Sequence, residues 1–212
     1  MNEVLYNEIM IVVVDYGSGN IGTVAAKLRN INSPVIVSSR AEDIEQADKL
    51  VIPGIGSFKA AMDNLSELGI IPILERQVIR NKIPILGICL GMQLFTRDSE
   101  EGDCEGFGWI DAVTVRFNED EPSLRIPHMG WNTINIKNPS SLLFGIENGS
   151  RFYFSHSYHV RCFNPDNIIA TTEYGYEFCS IVNHKNIYGV QFHPERSHKK
   201  GLMLLSSFIR GD

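Results

Sequence analysis

Three segments in the first half of the chain, IMIVVVDYG (9–17), KLVIPG (49–54) and IPILGIC (83–89), are apolar at nearly every position rather than at every second one. A strand with one wet face alternates. A strand that does not alternate is covered on both faces, which is the condition of a parallel sheet held between crossover helices. PVIVSS (34–39) reads as a fourth strand, and NIGTVAAKLRN (20–30) and the segments around 57–66 and 70–80 carry the helical patterns between them. The first half is therefore expected to be α/β.

After residue 105 the pattern changes to extended segments separated by turn residues: 108–117, 131–137, 151–155, 158–163, 168–173, 177–184 and 187–192. Some are expected to form antiparallel hairpins, with NHKN (183–186) as a turn joining two of them. A last helix is expected over 199–209. No repeat, low-complexity tract or Gly/Ser linker interrupts the chain, so residues 9–212 read as one domain, preceded by an extension over residues 1–8.

A formal charge of -6 and scattered Lys and Arg residues leave no basic field for nucleic acid. The apolar runs are too short to cross a bilayer. MNEVLYNEIM has two Glu and no basic leader pattern, so a cytoplasmic location is expected. The four cysteines show neither a disulfide-scaffold pattern nor metal-ligand spacing, and no metal or cofactor is expected.

Polar, Gly-rich corners follow three of the strands: DYGSGN (15–20), PGIGSF (53–58) and GICLGMQ (87–93). In open α/β sheets the carboxyl ends of the strands form the ligand crevice, so the corners are expected to line one site. Gly87-Ile88-Cys89-Leu90-Gly91 has the form G-x-C-x-G, the thiol counterpart of the G-x-S-x-G nucleophile elbow. Such a turn lifts the Cys89 side chain into the crevice and aims the Leu90 N–H at an oxyanion; a place at a helix start favours thiolate. The alternative is a core cysteine beside two packing glycines. GVQFHPERSH (189–198) supplies a base, with His193 and Glu195 two apart in a segment kept extended by Pro194. Cys89 would attack, His193 would move the proton and Glu195 would orient the imidazole. The PGIGSF backbone would complete an oxyanion hole. These residues alone fit several kinds of acyl-transferring cysteine hydrolase.

PGIG, GICLGMQ and QFHPERS, in this order, resemble the class I (triad-type) glutamine amidotransferases over nearly the whole chain. The resemblance implies a flavodoxin-like three-layer α/β fold, with a central, largely parallel mixed sheet and an added antiparallel β region. It implies hydrolysis of glutamine to glutamate and ammonia through a γ-glutamyl thioester on Cys89. It carries the triad onto Cys89, His193 and Glu195, the oxyanion loop onto Gly54, Ile55 and Gly56 with the Leu90 amide, and glutamine binding onto Gln93, Glu101 and Ser157.

DYGSGN, PHMGWN (127–132) and FYFSHSY (152–158) are similar to segments of the glutaminase subunits of imidazole glycerol phosphate synthases. This implies a heterodimer with a separate (β/α)8-barrel cyclase that uses the ammonia in histidine biosynthesis; such a barrel needs about 250 residues of its own. Met129 and Trp131 are of the types that anchor interfaces, and Asn20 and Asn132 join them as interface candidates. Trp131 packed in the core is the alternative. Ser155 stands where an apolar residue is usual, and HKKGLMLL (198–205) resembles paralogues encoded with surface-polysaccharide genes, which feed ammonia to an enzyme amidating sugar nucleotides.

Overall fold

The computed structural model describes residues 9–31, 34–118 and 124–211, so the expected extension at 1–8 lies outside the described residues. Strands β1 (Ile11–Val14), β2 (Val35–Ser38), β3 (Lys49–Gly54) and β4 (Ile85–Cys89) lie parallel in the order β2-β1-β3-β4. The helices are α1 (Ile21–Arg29), α2 (Ala41–Glu45), α3 (Phe58–Glu67), α4 (Ile71–Glu75), α5 (Leu90–Gln93) and α6 (His198–Arg210). Successive strand side chains point to opposite faces. Ile11, Val13, Val51, Leu86 and Ile88 pack with α1 and α6, whereas Val12, Val14, Leu50, Ile52 and Ile85 pack with α2, α3 and α4. Both faces are covered, and the unalternating runs have their explanation in this three-layer arrangement.

The remaining strands are β5 (Asp98–Ser99), β6 (Cys104–Glu105), β7 (Ala112–Arg116), β8 (His128–Thr133), β9 (Asn135–Ile136), β10 (Arg151–His156), β11 (Tyr158–Cys162), β12 (Ile168–Tyr174), β13 (Tyr176–His184) and β14 (Ile187–Val190). β14 returns beside β4 in parallel, and from there the sheet continues through β13, β11 and β7 in antiparallel pairs. β13 and β14 are joined by the NHKN turn, where Lys185 has φ +56. β8 and β10 form a separate antiparallel pair whose Phe152 and Phe154 pack into the core on the α1/α6 side.

Three features depart from expectation. α2 is a five-residue helix with one buried side chain, Ile44, too short to leave a periodic signal. The helical pattern at 70–80 divides into α4 and a π-helical turn over Arg76–Arg80. The extended segment expected at 131–137 starts earlier, at His128, and breaks between β8 and β9.

The strand order 2-1-3-4 reverses direction between β1 and β3, the switch point where open α/β sheets hold ligands. Because β14 is parallel to β4, the segments after β1, β3, β4 and β14 all leave the sheet at the same end. The turn after β4 is tight. Cys89 has φ +55 and ψ -108, and an added Cβ on Gly91 would land on the Ile52 carbonyl oxygen, while one on Gly87 would meet the Gly91 backbone at 2.6 Å. Gly91→Ala is therefore expected to cost about 1–3 kcal/mol or more, since overpacking against backbone outweighs the helix propensity gained. Gly22→Ala in α1, where nothing lies within 4 Å, is expected to gain up to about 1 kcal/mol. Urea unfolding of the two variants checks the contrast.

Candidate active site

The four turns at the carboxyl end of the sheet enclose a cavity of about 540 Å³. Cys89 and Leu90 reach it from the β4–α5 elbow, His193 and Glu195 from the segment after β14, Ile55 and Gly56 from the corner after β3, and Asn20 from the corner after β1. Gln93, Glu101 and Ser157 also line it. Gly54 lies at its edge, paired with Cys89 across β3 and β4, and the Tyr16 hydroxyl donates to the adjacent Pro53 carbonyl at 2.6 Å.

His193 and Glu195 are held by a 3-10 turn with Pro194 at its start. The His193 N–H donates to the Tyr153 carbonyl at 2.8 Å, and Ser197 Oγ donates to the His193 carbonyl at 2.6 Å, fixing the segment against β10. His193 Nδ1 donates to Glu195 Oε1 at 2.8 Å, and both side chains are buried. Burial disfavours the imidazolium, but the attraction of Cys89 and hydrogen bonds to Cys89 and Glu195 overcome it and hold the His193 pKa up at about 10. The arrangement sets a readily protonated imidazole beside the Cys89 sulfur, with the Glu195 carboxyl group at its Nδ1. It can deliver a nucleophilic sulfur and a proton to one reacting centre.

Asn20, expected at a partner interface, is half-buried at the cavity and bonded within the chain. Its Nδ2 donates to Glu195 Oε1 at 3.1 Å, so it supports the carboxylate that orients His193. The two residues are 175 positions apart, and only the convergence of strand ends brings them together. Ile55 also differs. Its N–H, expected to face a developing oxyanion, donates to Ser18 Oγ at 2.9 Å. Glu101 lines the cavity while its Oε2 accepts from the Phe58 N–H at 2.9 Å, capping the start of α3. Gln93 Nε2 is engaged by the Tyr158 carbonyl at 2.9 Å and by Gln191 Oε1 at 3.2 Å.

The PHMGWN segment lies beside the site as strand β8. Met129 and Trp131 are 62% and 39% exposed, which removes the core alternative for Trp131. Trp131 stacks on His198 at 5.1 Å and meets Tyr153 edge-on, and the Arg196 guanidinium lies 5.0 Å above the Tyr153 ring. Asn132, expected at the interface, is engaged within the chain: its Nδ2 donates to the Glu173 carbonyl at 2.9 Å and to His128 Nε2 at 3.2 Å.

A buried histidine chain was not legible in the sequence. The Tyr158 carbonyl can only accept, so His156 Nδ1 donates to it at 2.8 Å, and His156 Nε2 accepts from His128 Nδ1 at 2.9 Å. Both rings are thereby neutral. Burial lowers His128 to about 4, and burial together with repulsion from His128 puts His156 well below the usual histidine value.

A family model described as Glutamine amidotransferase class-I matches residues 12–210. The chain belongs to this family. Relatives include imidazole glycerol phosphate synthase subunit HisH 2 of Methanococcus maripaludis, 48% identical over 95% of this chain and 99% of that one. HisH 1 of Campylobacter jejuni is 47% identical over 95% and 100%, and HisH 2 of Pseudomonas aeruginosa 44% over 94% and 98%. Among solved structures, a glutamine amidotransferase has the same fold at a TM-score of 0.71, with 15% identity over 92% of this chain and 98% of that one. Another, from Thermotoga maritima, gives 0.61, with 16% identity over 90% and 77%.

The two kinds of buried histidine act in opposite pH windows. His128 and His156 bind fewer protons folded than unfolded, so their contribution to stability is complete above about 6.5 and declines as pH falls, that of His128 as pH approaches about 4. His193 is raised, so its contribution is complete below about 6.5 and is lost as pH rises through about 10. Urea midpoints measured across this range are expected to fall on the acid side in the wild type and less steeply in His128→Gln.

Proposed function

We propose that the chain is the glutaminase subunit of an imidazole glycerol phosphate synthase, releasing ammonia from glutamine for a separate (β/α)8-barrel cyclase. The observation that carries the reading is the Cys89, His193 and Glu195 constellation in one cavity, on a chain similar over 95% of its length to subunits of that synthase.

In the proposed mechanism the Cys89 thiolate attacks the side-chain carbonyl carbon of glutamine. The resulting oxyanion is met by the Leu90 amide, and Gln93, Glu101 and Ser157 hold the substrate. His193 delivers its proton to the departing nitrogen as the C–N bond breaks, leaving the thioester and ammonia. His193, now neutral, takes a proton from water, which attacks the thioester; the C–S bond breaks and glutamate leaves. Glu195, steadied by Asn20, keeps the imidazole in one orientation throughout.

The Ile55 amide bonded to Ser18 leaves the free chain short of one oxyanion donor, a loss that costs about 10²-fold or more in such sites. Isolated chain is expected to hydrolyse glutamine slowly and to be stimulated by about that factor when cyclase and its ligand are present. Met129 and Trp131, exposed on the strand next to the site, are the proposed docking residues.

A second acceptor has one observation in its favour. HKKGLMLL (198–205) resembles paralogues encoded with surface-polysaccharide genes. The ammonia would then go to an enzyme amidating sugar nucleotides for surface polysaccharide. Glutamate release measured with each candidate partner separates the two: stimulation by cyclase supports the first, and stimulation only by an amidating enzyme supports the second. With the stimulating partner, Cys89→Ala is expected to abolish glutamine-dependent synthesis and to spare synthesis from added ammonia. Surviving glutamine-dependent synthesis would refute the assignment of the nucleophile.

A further inference from the structure

Gln191 is fully buried, one position beyond β14 and two before His193, and no step of the mechanism above uses it. Its backbone N–H donates to the Ser180 carbonyl at 2.9 Å, which anchors the residue to β13. Its side chain lies between Gln93 and Cys89: Gln191 Oε1 is 3.2 Å from Gln93 Nε2, and Gln191 Nε2 is 3.7 Å from Cys89 Sγ. We propose that the Gln191 carboxamide is a catalytic hydrogen-bond donor to the Cys89 thiolate, locked in its donating orientation by the Tyr158 carbonyl acting through Gln93.

The orientation follows from donor and acceptor roles. The Tyr158 carbonyl can only accept, so the Gln93 group facing it at 2.9 Å must be the NH2. The same NH2 then presents its second N–H to Gln191, which must answer with oxygen. That leaves the Gln191 NH2 against sulfur. Reversing the Gln191 amide would set two NH2 groups together and place a carbonyl oxygen against a thiolate, two repulsive contacts in a buried site. A donor to an ionised partner is stronger than one to a neutral partner, so the contact favours S⁻ over S–H. An acceptor, the Ser155 carbonyl, also lies 3.9 Å from Sγ and serves only the thiol form.

The amide does what His193 cannot. His193 must give its proton to the departing nitrogen, so its hydrogen bond to sulfur changes during the reaction, whereas an amide N–H stays in place. Gln191 holds the thiolate charge and its direction of attack, and holds the thiolate again when the C–S bond breaks in the second half-reaction.

The inference rests on the glutaminase reading only for the size of the activity effect; the hydrogen bond to sulfur does not depend on the substrate. The test compares wild type with Gln191→Met, which keeps the shape and removes the donor. Alkylation by iodoacetamide is followed at the Cys89 peptide by mass spectrometry as a function of pH. The titratable groups around Cys89, namely His193, Glu195, Tyr16, His156, Glu101 and Arg196, are common to both proteins. The alkylation midpoint is expected to rise by about one pH unit, and kcat/KM for glutamine with the activating partner to fall about tenfold through kcat. Gln191→Glu keeps the polar contact to Gln93 and sets a carboxylate against sulfur, and is expected to raise the midpoint further. An unchanged midpoint in either folded variant, or a loss confined to KM, overturns the proposal. A shifted midpoint in a chain that no partner makes hydrolyse glutamine would leave this inference standing and remove the glutaminase reading.

Discussion

The structure depends on a backbone-to-backbone contact at the end of β4. Gly91 sits directly on the Ile52 carbonyl of β3, and Gly87 on the backbone of Gly91, with no room for a β-carbon at either position. That contact lets the chain turn from strand to helix within one residue and leaves Cys89 at φ +55 and ψ -108, a conformation side chains rarely adopt. Such a residue costs about 1–3 kcal/mol and persists only when its surroundings over-determine it. Here β3 pairs with β4 on one side and β14 on the other, so the strand cannot relax the strain by shifting.

The same pairing delivers the proposed base. β14 runs parallel to β4, with Val190 opposite Ile88, so the residues after β14 emerge beside the residues after β4. His193 is then buried against Cys89 and Glu195, and its charge is favourable because both partners are acidic. His128 and His156 are buried a short distance away and stay neutral, because their partners are a carbonyl, an amide and each other. Burial alone pushes all three rings the same way; what each ring faces decides its charge.

The strands of the first half were legible because double-sided burial leaves unbroken Ile, Val and Leu runs, and KLVIPG matches β3 from end to end. The corner at Cys89 was legible because glycines two before and two after the proposed nucleophile answer a steric demand that has few other solutions. Asn20 and Gln191 were not. Asn20 reads as an interface candidate in a Gly-rich turn, and Gln191 as a neighbour of the more telling His193; neither meets its partner within its own segment. The engagement of the Ile55 amide by Ser18 was hidden for the same reason, since the two corners carry no mutual pattern.

By itself the sequence determined the layering of the sheet and helices, the place of the elbow, and which residue types could act as nucleophile and base, because these follow from local burial, local sterics and side-chain chemistry. Only the tertiary structure decided what each of those groups faces. Whether an amide points at a cavity or at a serine, whether a histidine is charged or neutral, and which way a glutamine carboxamide is turned depend on hydrogen bonds between strands far apart in the chain. Such bonds are selected by distances of tenths of an ångström that no residue pattern records.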